Sequence, residues 1–247
     1  VTLRVGEHSA ALTLEPGSTA SFSGELALPS FERWWPNGHG PQTRYPAQLL
    51  IATSDGEQRF ELDPIGFRTV TQNPRSDGFG LFVNGVELRC RGACWTPTDV
   101  VSLHDDAATV AAVAQAQAAN MNMLRVGGTM IYESDAFYEE CDRRGILVFQ
   151  DYMFANCDYP VEDAGFLASV QREAAQFLER TQARACLAVL CGGSEVEQQI
   201  SMLGLPKAEW KPPLFERELR AVSQQLRPDL PYLSSSPTGA GLPFQAD

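Results

Sequence analysis

From about residue 72 onward the sequence alternates short apolar runs with stretches of helical periodicity, and that order leaves few folds open. "LRCRGACW" reads as a strand and Asp105 to Ala119 as a helix. "MNMLRVGG" is followed by a helix over Asp135 to Arg144, and "GILVFQD" by one over Gly165 to Thr181. "LAVLCGG" is followed by a helix over Glu209 to Leu226, and "PYLSSSP" is a fifth strand. Strands each followed by a helix mean a parallel sheet covered by helices. A doubly wound sheet advertises G-x-G-x-x-G after its first strand, and "RVGGTM" lacks that spacing. A (β/α)8 TIM barrel fits better, because polar or aromatic residues recur at the strand C-termini. These are Trp95, Arg125, Gln150, Asp151, Ser194, Glu195 and Ser234 to Ser236. That face of a barrel builds its active site. Five strands cannot close a barrel, so residues 72–247 are expected to form an incomplete one.

Residues 1–71 follow a different pattern. Short alternating runs are separated by turn residues, with Asp55-Gly56 between two of them, a strong hairpin signal. Asn84-Gly85 marks a second hairpin, in "GLFVNGVELRCRG". A small β-sandwich is expected over 1–71, making the whole chain multidomain, β followed by α/β. "FERWWPNGHGPQTRYP" stands out in this half: Trp34 and Trp35 read either as a core plug or as a loop reaching the neighbouring domain.

The net charge of −12 argues against nucleic acid or an anionic membrane as partner and leaves neutral substrates open. No apolar run approaches the roughly 18 residues of a membrane span, and no leader peptide opens the chain. The six cysteines are expected to be reduced and mostly buried. Cys90 and Cys94 are expected on one face of a strand. His8, His39 and His104 form no ligand spacing, so no metal is expected.

Glu195 carries the most chemical interest. An apolar strand holds the backbone, Gly192 and Gly193 let the chain open, and a carboxyl at such a lip can be partly desolvated into a working general acid. The alternative is an ordinary glutamate at a helix start, favoured by the helix dipole, and Glu197 looks more like that. A nucleophile elbow would need a glycine that "GGSEV" lacks. Arg125 either binds a carboxylate or substrate hydroxyl or makes a structural salt bridge. Trp95 offers either a flat face for a sugar ring or barrel-end packing. Asp151 is either a site residue or a loop cap.

The chain resembles the β-mannosidase branch of glycoside hydrolase family 2. The likeness is carried by "RWWPNGHGPQTRYP", "IGFRTV", "FVNGVELRCRGACWTPTD", "NMNMLRVGGTMIYESDAFYEECDRRGILVFQDYMFANCDYP" and "LAVLCGGSEVEQQ", in family order along nearly the whole chain. The resemblance implies an immunoglobulin-like sandwich followed by a TIM barrel that removes β-linked mannose with retention. It implies Glu195 as the acid/base and Arg125, Asp151, Trp95 and Ser194 at the sugar site. Ser194 stands where the family has Asn, Gly127 where it has Trp, and Cys94 where it has Asn before Trp95. Family order places the nucleophile beyond Asp247 and a jelly-roll domain before the sandwich. The expectation is therefore a fragment, inactive alone. No cofactor is implied, since two carboxylates suffice. The expected partner is a β-linked mannoside or oligosaccharide.

Two alternatives stay open. One is another family-2 enzyme acting on a β-glucosaminide or β-galactoside. The other is a non-catalytic carbohydrate-binding protein whose open sheet edge invites self-association.

Overall fold

The computed structural model describes residues 1–17, 21–73, 80–155 and 158–238. The first half forms β1 (Thr2–Val5), β2 (His8–Ala11), β3 (Thr13–Leu14), β4 (Phe22–Ser23), β5 (Tyr45–Thr53) and β6 (Gly56–Ile65). Four of these make an antiparallel sheet in the order β2-β1-β5-β6, and β3 pairs with β4. The Asp55-Gly56 signal is the β5–β6 turn, with Gly56 at φ 127°, a conformation that favours glycine. The register puts Leu3, Val5, Ala47, Leu49, Phe60 and Leu62 on one face of this sheet.

Three short antiparallel strands follow: β7 (Val70–Gln72), β8 (Leu81–Val83) and β9 (Val86–Leu88). The expected boundary at residue 71 falls inside β7. Asn84 and Gly85 at the β8–β9 turn both have positive φ, 53° and 81°, the two-residue turn that Asn-Gly favours.

The second half is a five-stranded parallel sheet in chain order: β10 (Gly92–Trp95), β11 (Met123–Val126), β12 (Leu147–Asp151), β13 (Leu187–Cys191) and β14 (Tyr232–Leu233). Helices α1 (Asp106–Ala118), α2 (Asp135–Arg144), α3 (Ala164–Arg180), α4 (Val196–Met202) and α5 (Leu219–Leu226) alternate with the strands. Asp105 and Asp163 cap α1 and α3 through their side chains, satisfying first-turn N–H groups. Gly145 ends α2 in the left-handed conformation.

Two element boundaries differ from expectation. "LRCRGACW" is not one strand: the chain leaves β9 at Leu88 and enters β10 at Gly92, tethered between by Arg91 to Asn122 (N–H to Oδ1, 2.8 Å). Cys90 therefore lies outside the strand that carries Cys94. The expected helix over 209–226 starts later, at a wide turn over Leu214–Glu218 that continues into α5. Pro212 and Pro213 have no backbone N–H to donate into an earlier turn. Cys141, Cys186 and Cys191 are buried, whereas Cys90 and Cys94 are exposed. Cys157 lies outside the described residues.

Trp34 answers the question that the double-tryptophan segment raised. It is fully buried in the core shared with the parallel sheet, and its indole N–H donates to the Asp142 carbonyl at the end of α2 (2.8 Å). Asn37 adds bonds to Met121 and Gly145, so the segment is a plug that joins the two halves. Arg184 extends the joint, contacting Asp63 of β6 and Glu139 of α2 at 2.8 Å each.

Asp142 is buried in this joint. Burial pushes its carboxyl up to about 6, against the opposing pull of the Cys186 N–H and Arg184. Its Oδ2 has no hydrogen-bond partner among the described residues, and the Arg184 guanidinium stands off at 3.7 Å. A folded-state value above the unfolded one means stability contributed below about pH 4 and lost as pH rises through about 6. The shift corresponds to roughly 2–3 kcal/mol. In urea unfolding across that window, wild type is expected to lose stability relative to Asp142→Asn as pH rises. A pH-independent difference would contradict this.

Candidate active site

The site is built at the C-terminal end of β13. Its five residues, Leu187 to Cys191, are all buried, which fixes the strand. The chain then turns through Gly192 and Gly193 into Ser194 and Glu195. A Cβ on Gly192 would sit 2.4 Å from the Ser234 carbonyl, so the approach of β14's continuation demands glycine there.

Glu195 precedes α4 with φ 57° and ψ 15°, the left-handed region. The residue before a helix normally takes an extended conformation. Two backbone bonds hold Glu195: its N–H donates to Ser236 (2.9 Å), and its carbonyl accepts from Gln199 (2.8 Å). Its side chain is exposed. The described residues thus do not supply the partial desolvation expected from sequence. Left-handed geometry in a residue with a Cβ costs about 1–2 kcal/mol, and such strain tends to gather at functional sites. Glycine in place of Glu195 is expected to raise stability by up to about 1 kcal/mol in urea unfolding, after the larger unfolded-state entropy of glycine is subtracted. An unchanged or lower stability would mean that this backbone is relaxed.

Beside Glu195 lies a compact polar network. Arg125 of β11 reaches the fully buried Asp151 carboxylate of β12, with Nη2 2.7 Å from Oδ2. The Arg125 guanidinium also lies over the Phe149 ring, 5.6 Å from its centroid. Burial alone would lower the Arg125 pKa, but the hydrogen bond and charge of Asp151 outweigh it and hold the cation more firmly. The Ser194 hydroxyl donates a short bond to Asp151 Oδ2. It accepts from the Gly128 N–H (2.8 Å) and from Arg125 Nη2 (3.3 Å). A hydroxyl has one donor and two acceptor sites, so Ser194 is saturated by protein. It ties the ends of β11, β12 and β13 together and has no donor left for a sugar.

Trp95 is not brought into this group. The register aligns it with Val126 and Gln150, and Gln150 accepts from the Tyr138 hydroxyl of α2. That face is covered by helices. Trp95 packs against Phe137 with ring centroids 4.8 Å apart, and its N–H donates to the buried Glu133 (2.7 Å). Arg125 and Asp151 lie on the opposite face of the sheet.

Glu197 also departs from expectation. It is buried, not a surface residue, and accepts from the Ser234 and Thr238 hydroxyls at 2.9 and 2.8 Å. It locks the serines after β14 against α4, which fixes the Ser236 carbonyl that holds Glu195. A serine run at a strand end facing an acidic helix start was the sequence signal for this pairing. Gly128 was missed as well: a Cβ there would meet the Phe154 and Tyr152 carbonyls at 2.4 Å. Gly128, Met153, Tyr159, Ser194, Glu195 and Gln199 together line an open groove of about 400 Å³.

No family model matches the chain. Among curated proteins it is 34% identical to a β-mannosidase of Mus musculus over 224 residues, covering 84% of this chain and 25% of that protein. Among solved structures it resembles the crystal structure of a β-D-mannosidase from Dictyoglomus thermophilum, with a TM-score of 0.78 and 32% identity over 86% of this chain and 27% of that one. An exo-chitosanase of Amycolatopsis orientalis shares the fold, with a TM-score of 0.70 at 20% identity over 95% of this chain and 27% of that one. The chain thus spans about a quarter of the length of the curated relatives it matches. In the part that it spans, the chain is a homologue of β-mannosidases.

Proposed function

We propose that the chain supplies the proton-donating half of a retaining β-glycosidase site for terminal β-mannosides, within an immunoglobulin-like sandwich and the first part of a TIM barrel that follows it. The observation that carries this reading is Glu195 itself. It is a solvent-facing carboxylate in a strained backbone at the end of a rigid strand, beside the Arg125–Asp151–Ser194 network. Glu195 donates a proton to the glycosidic oxygen as the bond breaks, then takes one from water as the glycosyl-enzyme is hydrolysed.

Asp151 is not the nucleophile, because Arg125 engages both of its oxygens and Ser194 donates to one of them. The second carboxylate comes from the remainder of a protein of family length. Arg125 Nη1 makes no hydrogen bond among the described residues and is the group offered to a sugar hydroxyl. Asp151 and Ser194 position that guanidinium. Trp95 supports the rim through Glu133 and does not stack on the sugar. Two carboxylates complete the chemistry without a cofactor.

The test is a panel of 4-nitrophenyl β-mannoside, β-glucosaminide and β-galactoside, given to the 247-residue chain and to a protein extended to family length. The extended protein is expected to hydrolyse the mannoside fastest, and the chain alone to release nothing. Faster hydrolysis of another glycoside would overturn the substrate, and turnover by the chain alone would overturn the placement of the nucleophile.

A further inference from the structure

A cavity of about 350 Å³ lies at the joint of the two halves, at the opposite end of β13 from Glu195. One wall comes from the segments around Arg33 and Arg68 in the first half. The other comes from the loops that lead into β13 and β14, with Arg184 in one and Arg227 and Asp229 in the other. The charged residues of the lining are thus four arginines and one aspartate, in a chain whose net charge is −12.

The cations here outnumber their partners. Arg184 is matched by Asp63 and Glu139, but Arg68 and Arg227 share the single carboxylate of Asp229. Arg68 Nη1 donates to Asp229 Oδ2 at 2.9 Å, and Arg227 donates to both Asp229 oxygens, at 2.8 and 3.0 Å. Their other bonds go to the carbonyls of Ala185, Leu187 and Thr181, which carry no charge. Both arginine side chains are nearly enclosed, 6% and 4% exposed, so water compensates little of the surplus. Burial lowers the Arg68 pKa, the Asp229 hydrogen bond opposes this, and the neighbouring Arg227 charge lowers it again. Arg33 is exposed. It makes one long hydrogen bond, to Asn84 Oδ1 (3.4 Å), and has no carboxylate partner among the described residues.

Arg33, Arg68 and Arg227 against Asp229 therefore leave two positive charges uncompensated on one cavity wall. A guanidinium has five N–H groups, and Arg68 and Arg227 each keep some unused. A carboxylate would supply one negative charge. A phosphate monoester supplies about −1.5 to −2 at pH 7, with three acceptor oxygens. The lining also offers an aromatic surface: Phe31 and Phe67 lie with ring centroids 5.0 Å apart, and Phe31 is 44% exposed. The volume lies in the range of small-molecule sites.

We propose that this cavity binds a small phosphate monoester, with its phosphate on Arg33, Arg68 and Arg227 and its organic part against Phe31 and Phe67. The site is separate from the groove that holds Glu195, and the inference does not rest on the role given to that residue.

Equilibrium binding to the 247-residue chain and to a protein of family length tests this with phenyl phosphate, inorganic phosphate and benzoate. Phenyl phosphate is expected to bind about tenfold or more tighter than either, since inorganic phosphate lacks the ring and benzoate the second charge. Arg33→Ala is expected to weaken phenyl phosphate about tenfold or more, as loss of a charged hydrogen-bond donor requires. Phe31→Ala is expected to reduce the advantage over inorganic phosphate. Both side chains are exposed, so neither substitution endangers the fold. Arg59→Ala, exposed and outside the cavity, is expected to change nothing. Benzoate bound as tightly as phenyl phosphate overturns the phosphate class. Affinity unchanged by Arg33→Ala overturns the site, and so does binding to the chain that the longer protein loses, because the remainder would then fill the cavity.

Discussion

Methionine in place of Arg125 is expected to lower the stability of the chain by about 3–5 kcal/mol, the usual cost of leaving one partner of a buried ion pair behind. The partner left is Asp151, whose side chain has no solvent exposure. Its remaining donors would be the Ser194 hydroxyl and the Cys191 thiol, and neutral hydrogen bonds do not offset a buried carboxylate. Methionine keeps an unbranched apolar stem but loses the guanidinium that lies over Phe149, so the loss includes that contact as well as the ion pair. The measurement is urea unfolding of wild type, Arg125→Met, Asp151→Leu and the double variant. The double variant is expected to recover much of the loss, since removing both charges removes the uncompensated one. Additive losses, with no recovery, would mean that the pair does not act as a unit.

Glutamine in place of Glu195 is expected to lower kcat/KM for an unactivated β-mannoside by about 10²- to 10⁴-fold in a protein of family length, the range for loss of a positioned general acid. The fold should not change. The Glu195 side chain is exposed and its structural bonds are backbone ones, to Ser236 and from Gln199. Glutamine therefore removes the titrating proton and little else. An unfolding midpoint equal to that of wild type would show that the lost rate is chemical.

Much of this architecture was legible in the sequence, for identifiable reasons. Strand β13 and helix α2 were plain because burial and periodicity are local signals: "LAVLCGG" has no polar residue before its glycines, and Gly145 stops α2. Both hairpin turns were legible because Asp-Gly and Asn-Gly have few other conformations to favour. The network was legible only in part. Arg125, Asp151 and Ser194 could be named as strand-end residues, but the sequence does not say which bonds to which. The saturation of Ser194 depends on the Gly128 N–H, a backbone group from another strand end. For Trp95 the sequence left sugar stacking and barrel-end packing open, because its face follows from the pairing with Val126, which strand-end position does not reveal. Glu197 was misjudged because burial of a carboxylate requires hydroxyls some forty positions away, Ser234 and Thr238.

The measurement that tests the role of Glu195 most directly is leaving-group dependence. In the extended protein, kcat/KM of Glu195→Gln relative to wild type would be compared for 2,4-dinitrophenyl and methyl β-mannosides. A proton donor matters in proportion to the basicity of the departing oxygen. The loss is expected to be small for dinitrophenolate, which leaves without protonation, and to reach about 10²-fold or more for methanol. An equal loss for both would contradict the account, because it would place the contribution of Glu195 in binding and not in proton transfer.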